Sequence, residues 1–431
     1  MQRNWFLGEL LTQLFQRRAP LFGGKDDTRS MIELCDALLS EEGEVSGYRL
    51  ASTFLKRYQT ADDAEKLAFF RYLNSELDVD AEKLVELAQS YGQAKDTNIF
   101  KALSRAAEPR RQELLRRLNQ PTGATQGLVA MRVDLLNFLK EHPDLKRTDF
   151  DFRHLLQSWF NLGFLVLKQI NWDTPARILD KIIAYEAVHE ISDLDDLRKR
   201  LFPPDRRCFA FFHPSMPDEP LIFVEVALTS EVPGSIDGIL LENRMPLAPE
   251  NARVAVFYSI SNCQVGLRDI SFGNLLIKQV VAELSLEMPD LNQFVTLSPI
   301  PKLNTWLNSQ VDDAELGFAA SQALVAQASD DTVAQLAARY LTTAKRDDGL
   351  PYDPVARFHL GNGAEVYAVH SGADLSENGH NQSSGAMVNY HYDLSKTELH
   401  HEDFVRNATV SATKDVLALA RAEFTLQTKE K

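Results

Sequence analysis

Three features of the 431-residue sequence predict an all-helical N-terminal segment followed by an α+β segment. Up to about residue 190, apolar residues recur at helical spacing. After residue 200, short runs rich in aromatic and β-branched residues take over, bounded by prolines. No strand pattern of comparable quality precedes residue 200. The expected division is therefore a helical domain over 1–190 and a second domain over 191–431.

Within the first segment, Thr60-Ala61-Asp62-Asp63 precedes the apolar-periodic AEKLAFFRYL and resembles a capping box with an aspartate as its acid. Residues 109–118 (PRRQELLRRL) begin with a proline suited to a first helical turn. They stop at the breaker cluster NQPTG. Leu128, Met131, Leu135, Phe138 and Leu139 mark one buried helical face. Residues 174–191 again place a proline near a helix start, after the capping-type Thr174.

In the second segment, residues 208–212 (CFAFF), 221–228 (LIFVEVAL), 254–260 (VAVFYSI) and 293–297 read as strands, the last ended by Ser298-Pro299. Residues 364–369 and 386–392 read likewise, 272–288 as a helix, and the tail from 402 to about 426 as one long helix. The stretches 230–251 and 374–384 are long polar loops. No repeat of fixed period is present.

Composition narrows the function. There are 46 Lys+Arg against 61 Asp+Glu, a formal charge of -15, which disfavours non-specific binding to nucleic acid or anionic membrane. A local basic pocket remains compatible with that balance. Cys35, Cys208 and Cys263 lie far apart with no CxxC pair, which predicts a reduced, cytosolic protein without a disulfide framework. The stretch MQRNWFLGELLTQLF lacks a small-residue cleavage site, so no secretory signal is expected. No apolar run approaches 18 residues, so no membrane span is expected. The closing LQTKEK is not a peroxisomal tripeptide.

The most informative stretch is 254–283, where an apolar strand enters a turn and a helix opens near Phe272-Gly273. Backbone N–H groups at such a start, aided by the helix dipole, can hold a pyrophosphate without a basic sequence. Arg268, Asp269, Ile270, Ser271, Phe272, Gly273 and Asn274 resemble the coenzyme A loop of GNAT-type N-acetyltransferases, with Ser271 in place of the first glycine. On that short motif alone an ordinary strand–turn–helix is the better reading.

Longer blocks decide between the two. RRCFAFFHPSMPDEPLIFVEVALT, VFYSISNCQVGLRDISFGNLLIKQVV, LSPIPKLNTWL and DPVARFHLGNGAEVY resemble malonyl-CoA decarboxylases, in order and at sensible spacing, with YEAVHEI upstream and GAMVNYHYDL downstream. The resemblance implies a helical oligomerisation domain and a GNAT-like catalytic domain that converts malonyl-CoA to acetyl-CoA and carbon dioxide. It implies a catalytic serine in Leu-Ser-Pro-Ile-Pro, here Ser298, and a catalytic histidine in Phe-His-Leu-x-Asn-Gly, here His359. It also implies a homo-oligomer and CoA contacts from Arg268 to Asn274. Some members of that family carry a glutamate where this chain has Ser271.

The chemistry needs no metal and no cofactor beyond the CoA that the substrate carries. Loss of carbon dioxide leaves an electron pair on C2, which the thioester carbonyl accepts as an enolate. The protein must orient the carboxylate, stabilise the enolate oxygen and deliver one proton. No HExxH or trusted metal-ligand spacing occurs. His213 reads as a turn residue, and His400-His401 as solvated. Ser259 or Ser261 is a candidate for the substrate site, as are Asn362-Gly363 and Asn389-Tyr390, and His391 is a reserve partner. The rival readings are an acyl-CoA-dependent N-acyltransferase and a non-catalytic CoA sensor.

Overall fold

The computed structural model describes residues 27–40, 44–241, 244–270 and 276–424. Contacts divide the chain into two compact units. One holds the residues up to 164 with the short segments 214–217 and 264–271; the other holds 165–213, 218–263 and 272 onward.

The first unit is helical, with helices Met31–Leu39, Glu44–Thr60, Asp63–Ser75, Ala81–Ala94, Thr97–Ala106, Arg110–Leu118, Ala124–Phe138 and Lys146–Trp159. Its core is aromatic: Phe54 and Phe69 lie 5.0 Å apart by ring centroid, Phe69 and Phe70 5.5 Å. Such pairs add to the area they bury. Leu128, Met131 and Leu135 are buried, as their spacing predicts. The capping box is shifted from its expected position. Asp62 is the cap and Glu65 the returning acid, because the helix starts at Asp63. Pro109 occupies the cap of Arg110–Leu118. Helices Ala81–Ala94 and Thr97–Ala106 bury no residue, and Val85 and Phe100 are 57% and 50% exposed.

The second unit carries an eight-stranded mixed sheet. Its strands are β1 (Val166–Ile170), β2 (Arg206–His213), β3 (Met216–Thr229), β4 (Val254–Asn262), β5 (Gln293–Thr296), β6 (Ser298–Pro299), β7 (Glu365–His370) and β8 (Met387–His391). The order is β1-β2-β3-β4-β5-β8-β6, with β7 also on β8. β4 and β5 pair in parallel, joined through the helix Leu276–Glu287. That crossover is the strand–turn–helix read from 254–283.

Every expected strand has a counterpart, and four expectations change. First, β1 was not foreseen: VLKQI buries only Ile170, so it lacks an apolar signature and is held by pairing with β2. Residues 165–190, read with the helical segment, therefore pack in the sheet unit. Second, the helix expected over 174–191 runs only from Ala176 to Tyr185. The Glu186 carboxylate then accepts from the N–H groups of Val188 and His189 and ends it. Third, Ser298-Pro299 does not merely end a strand but forms β6 against β8. Fourth, the tail is two helices, Thr397–Asn407 and Lys414–Arg421, separated at Ala408 with φ 51° and by a bridge of Ala412 to Val366. The expected loops hold the short helices Asp237–Leu240 and Glu377–Ser383.

The helix Pro354–Gly361 ends on Gly363, whose φ is +84°. A Cβ there would lie 2.1 Å from the Thr397 carbonyl oxygen. Gly363→Ala should therefore cost roughly 2–4 kcal/mol, from the left-handed backbone and the overlap together. Denaturant unfolding would measure it, and wild-type stability would contradict the close approach.

Candidate active site

Ser298 is placed by the strand pair that follows the crossover. Thr296 and Ser298 are two positions apart and share a face of extended chain. β6 pairs with β8 at Ser298 opposite Val388. The Asn389 side chain donates to the Thr296 carbonyl at 2.7 Å, fastening β8 to this segment.

His359 arrives from the helix Pro354–Gly361. Pro354 takes the first helical position, where its missing N–H costs nothing. Asp353 caps the helix by accepting from the N–H groups of Val355 and Ala356 at 2.8 and 2.9 Å. Tyr340 donates to the same carboxylate at 3.3 Å. His359 then sits in the last turn, 3% exposed.

The two meet 61 positions apart in sequence, with Ser298 Oγ 3.2 Å from His359 Nε2. Ser298 donates to Thr296 Oγ1 at 2.9 Å, and the Tyr390 N–H donates to that same oxygen at 3.0 Å. Tyr392 Oη lies 2.8 Å from His359 Nδ1. The Tyr390 ring stacks on the imidazole, centroids 4.5 Å apart at 24°. One polarity serves the chain: the tyrosine donates to Nδ1, and Nε2–H donates to Ser298. Burial pushes the His359 pKa down to about 3 and that of Tyr392 far up, so both stay neutral.

Ser298 and His359 face a cavity of about 220 Å³. Phe257, Ile260, Val355 and Phe358 are among its apolar walls, and Tyr258 and Asn262 also line it. The arrangement offers a serine hydroxyl and a neutral N–H donor to a small group in an otherwise largely apolar recess.

Other candidates lie elsewhere. Ser259 and Ser261 do not line the cavity; both bond the Glu186 carboxylate, Ser259 at 2.8 Å to each oxygen and Ser261 at 3.3 Å. Asn389 is structural, and Asn362 donates to the Phe358 carbonyl at the helix end. His391 pairs with Glu365 at 3.2 Å. His401 is not merely solvated: its Nδ1 donates to the Gly361 carbonyl at 2.7 Å. His213 ends β2, as read.

Of the expected CoA loop, Arg268 and Asp269 are exposed and Ile270 is buried; Asp269 has φ 63°. Ser271, Phe272, Gly273 and Asn274 lie outside the described residues.

Thr296 and Tyr392 were missed as parts of the site, and Tyr390, read as a candidate for substrate contact, stacks on His359. Thr296 was within reach, two positions before Ser298 on one strand face. Tyr392 shares the two-residue period with Tyr390, but nothing local says which face meets His359.

A mixed-sheet domain that brings a serine and a neutral histidine to a small recess has the make-up of an acid–base enzyme. The family model for the malonyl-CoA decarboxylase C-terminal domain matches residues 163–430, and that for its N-terminal domain matches 77–160. The mitochondrial malonyl-CoA decarboxylase of Mus musculus is 34% identical over 73% of this chain and 72% of its own. The malonyl-CoA decarboxylase structure from Rhodopseudomonas palustris is 48% identical with a TM-score of 0.84, covering 90% of this chain and 98% of that one. The one from Agrobacterium vitis is 45% identical with a TM-score of 0.86, covering 91% and 100%. The chain belongs to the malonyl-CoA decarboxylase family.

The buried imidazole couples stability to pH. Its folded value of about 3 lies below the ordinary 6.5, so between these values only the unfolded chain takes the proton. The stability from keeping His359 neutral is complete above about pH 6.5 and is lost as pH falls towards 3. His359→Gln should flatten this acid-side loss by up to about 1.4 kcal/mol per pH unit. Denaturant unfolding of both proteins from pH 7 to 4 measures the difference; parallel curves would place the imidazole in water.

Proposed function

We propose that the chain decarboxylates malonyl-CoA to acetyl-CoA and carbon dioxide with Ser298 and His359 as its catalytic pair, using no metal and no cofactor other than the substrate's own CoA. The 3.2 Å contact of Ser298 with His359 at the cavity wall is the observation that carries this reading.

In the proposed reaction the malonyl group enters the recess with its carboxylate beside Ser298 and its thioester oxygen beside His359. Apolar walls disfavour a localised carboxylate more than the dispersed charge of the transition state. Holding the carboxylate out of the carbonyl plane aligns the breaking C–C bond with the π system. That bond's electron pair moves into the carbonyl as carbon dioxide leaves. Nε2–H donates to the enolate oxygen, where a neutral donor in a poorly solvated recess acts strongly. A proton then reaches C2 from the Ser298–His359 pair, which takes its replacement from a water molecule admitted as carbon dioxide leaves, and Tyr392 holds Nδ1 as the acceptor throughout. The CoA pyrophosphate is assigned to the backbone from Ser271 to Asn274, with Arg268 adding charge.

The weak basicity of the buried histidine, its pKa pushed down to about 3, favours this reading over an N-acyltransferase, which needs a base for an incoming amine. Purified protein given malonyl-CoA alone should release acetyl-CoA. Ser298→Ala and His359→Ala should each lower kcat by roughly 10²–10⁴-fold. If they act as a unit, the double variant should be far less impaired than the product of the single losses. Near-normal turnover in a folded single variant would remove that residue from the mechanism.

We further propose a cytosolic homo-oligomer, with no nucleic-acid or membrane partner, assembled through the helical domain. No helix among the described residues is long and apolar enough to cross a membrane. The support for assembly is the helix pair Ala81–Ala94 and Thr97–Ala106, which buries no residue in a single chain. Light scattering at micromolar concentration should report a multimer, and Phe100→Glu should shift it towards monomer. A wild-type monomer would contradict the proposal.

A further inference from the structure

The walls of the catalytic recess differ in how they are held. Among its described lining residues, Phe257, Tyr258, Ile260 and Asn262 belong to β4, Ser298 and Pro299 to β6, and Pro354, Val355, Phe358 and His359 to one helix. Val188 alone comes from irregular chain, the turn that follows the helix Ala176–Tyr185. Strands and helices are fixed by their own backbone ladders. A wall made from a turn needs another fastening.

The Glu186 carboxylate supplies it. Its Oε1 accepts from the N–H groups of Val188 and His189, each at 2.8 Å. Ser259 Oγ lies 2.8 Å from both carboxylate oxygens, and Ser261 Oγ lies 3.3 Å from Oε2. The Ala187 N–H donates to Ser261 Oγ at 3.2 Å. Three successive backbone N–H groups are thus satisfied by one side chain and the two serines of β4. Both serines are 1% exposed, so the anchor lies inside the fold, whereas Ala187 is exposed and Val188 half-buried. Ile182 before the turn and Ile191 after it are buried in one apolar cluster. The donors to Glu186 in these bonds are neutral N–H and O–H groups, so the carboxylate works here as an acceptor.

Val188 is β-branched, and its χ1 is restricted. On a backbone fixed at residues 187, 188 and 189, its methyl groups form a stiff piece of apolar wall. C2 of a malonyl thioester carries only hydrogens beside its two carbonyl substituents. A methyl group added there needs room that a stiff wall withholds. One such carbon in an apolar pocket changes kcat/KM by roughly 10–200-fold.

We propose, on the assignment of the Ser298 recess to the malonyl group, that Glu186 and Val188 set the specificity of the reaction: Glu186 fixes the turn, and the Val188 side chain excludes malonyl thioesters substituted at C2. Glu186 is a positioning residue that acts through Val188. Glu186→Gln keeps one oxygen for the Val188 and His189 N–H groups, and its amide can donate to serine hydroxyls that accept as well as donate. Glu186→Ala removes every one of these bonds.

The test is kcat/KM of the full chain for malonyl-CoA and for racemic methylmalonyl-CoA, read as the ratio of the two. The wild type should favour malonyl-CoA by at least about tenfold. Val188→Ala should narrow that ratio about tenfold, through a gain on methylmalonyl-CoA. Glu186→Ala should narrow it in the same direction, and Glu186→Gln should keep the wild-type preference. Val188→Ala, at a half-buried position, decides the matter should Glu186→Ala fail to fold. Equal wild-type values for the two substrates overturn the proposal, as does a ratio unmoved in Val188→Ala. Equal loss of malonyl-CoA turnover in Glu186→Gln and Glu186→Ala also overturns it, because the carboxylate charge would then act in the chemistry. Loss of turnover in Ser298→Ala with an unmoved Val188→Ala ratio overturns this proposal alone. Near-normal turnover in Ser298→Ala removes the site assignment and this proposal with it.

Discussion

The hydrogen bond between Ser298 and His359 is the constraint around which the sheet unit is organised. It joins a strand end to a helix end, 61 positions apart, where both side chains are nearly buried. A buried polar group without a partner costs about 1–3 kcal/mol. Each member of the chain Tyr392, His359, Ser298, Thr296 therefore depends on its neighbours. The same burial that makes the chain obligatory keeps the imidazole neutral. Stability and the chemical state of the site have one cause.

Much of the surrounding architecture holds that chain in register. β8 pairs with β5, β6 and β7, so this strand carries Tyr390, and the chain just beyond it Tyr392, to the histidine, while Asn389 bonds the Thr296 carbonyl. The helix bearing His359 is fixed at its start by Asp353 and at its end by the turn at Gly363. The histidine is thus set by two helix ends rather than by its own contacts alone.

β4 shows how a strand can furnish two sites. Its register against β3 slips between Glu225 and Val226, which leaves Tyr258 as an extra residue opposite the join. Such a bulge re-aims neighbouring side chains. Phe257, Tyr258, Ile260 and Asn262 line the catalytic recess. Ser259 and Ser261 turn instead to Glu186 and tie β4 to the segment that follows the helix Ala176–Tyr185. A serine-rich strand beside a cavity therefore supplies anchors, not substrate contacts.

The sequence by itself determined the order of helical and sheet regions, six of the strands, and the serine and histidine that meet. These depend on local periodicity and on motifs, and both survive without knowledge of the fold. Only the tertiary structure decided β1, because VLKQI becomes a strand by pairing with β2 and not by its own apolar pattern. It decided the break in the tail, where Ala412 bridges to Val366 and interrupts what helical periodicity would continue. It decided which face of β4 is functional, since a bulge reverses alternation with no composition signal at Tyr258.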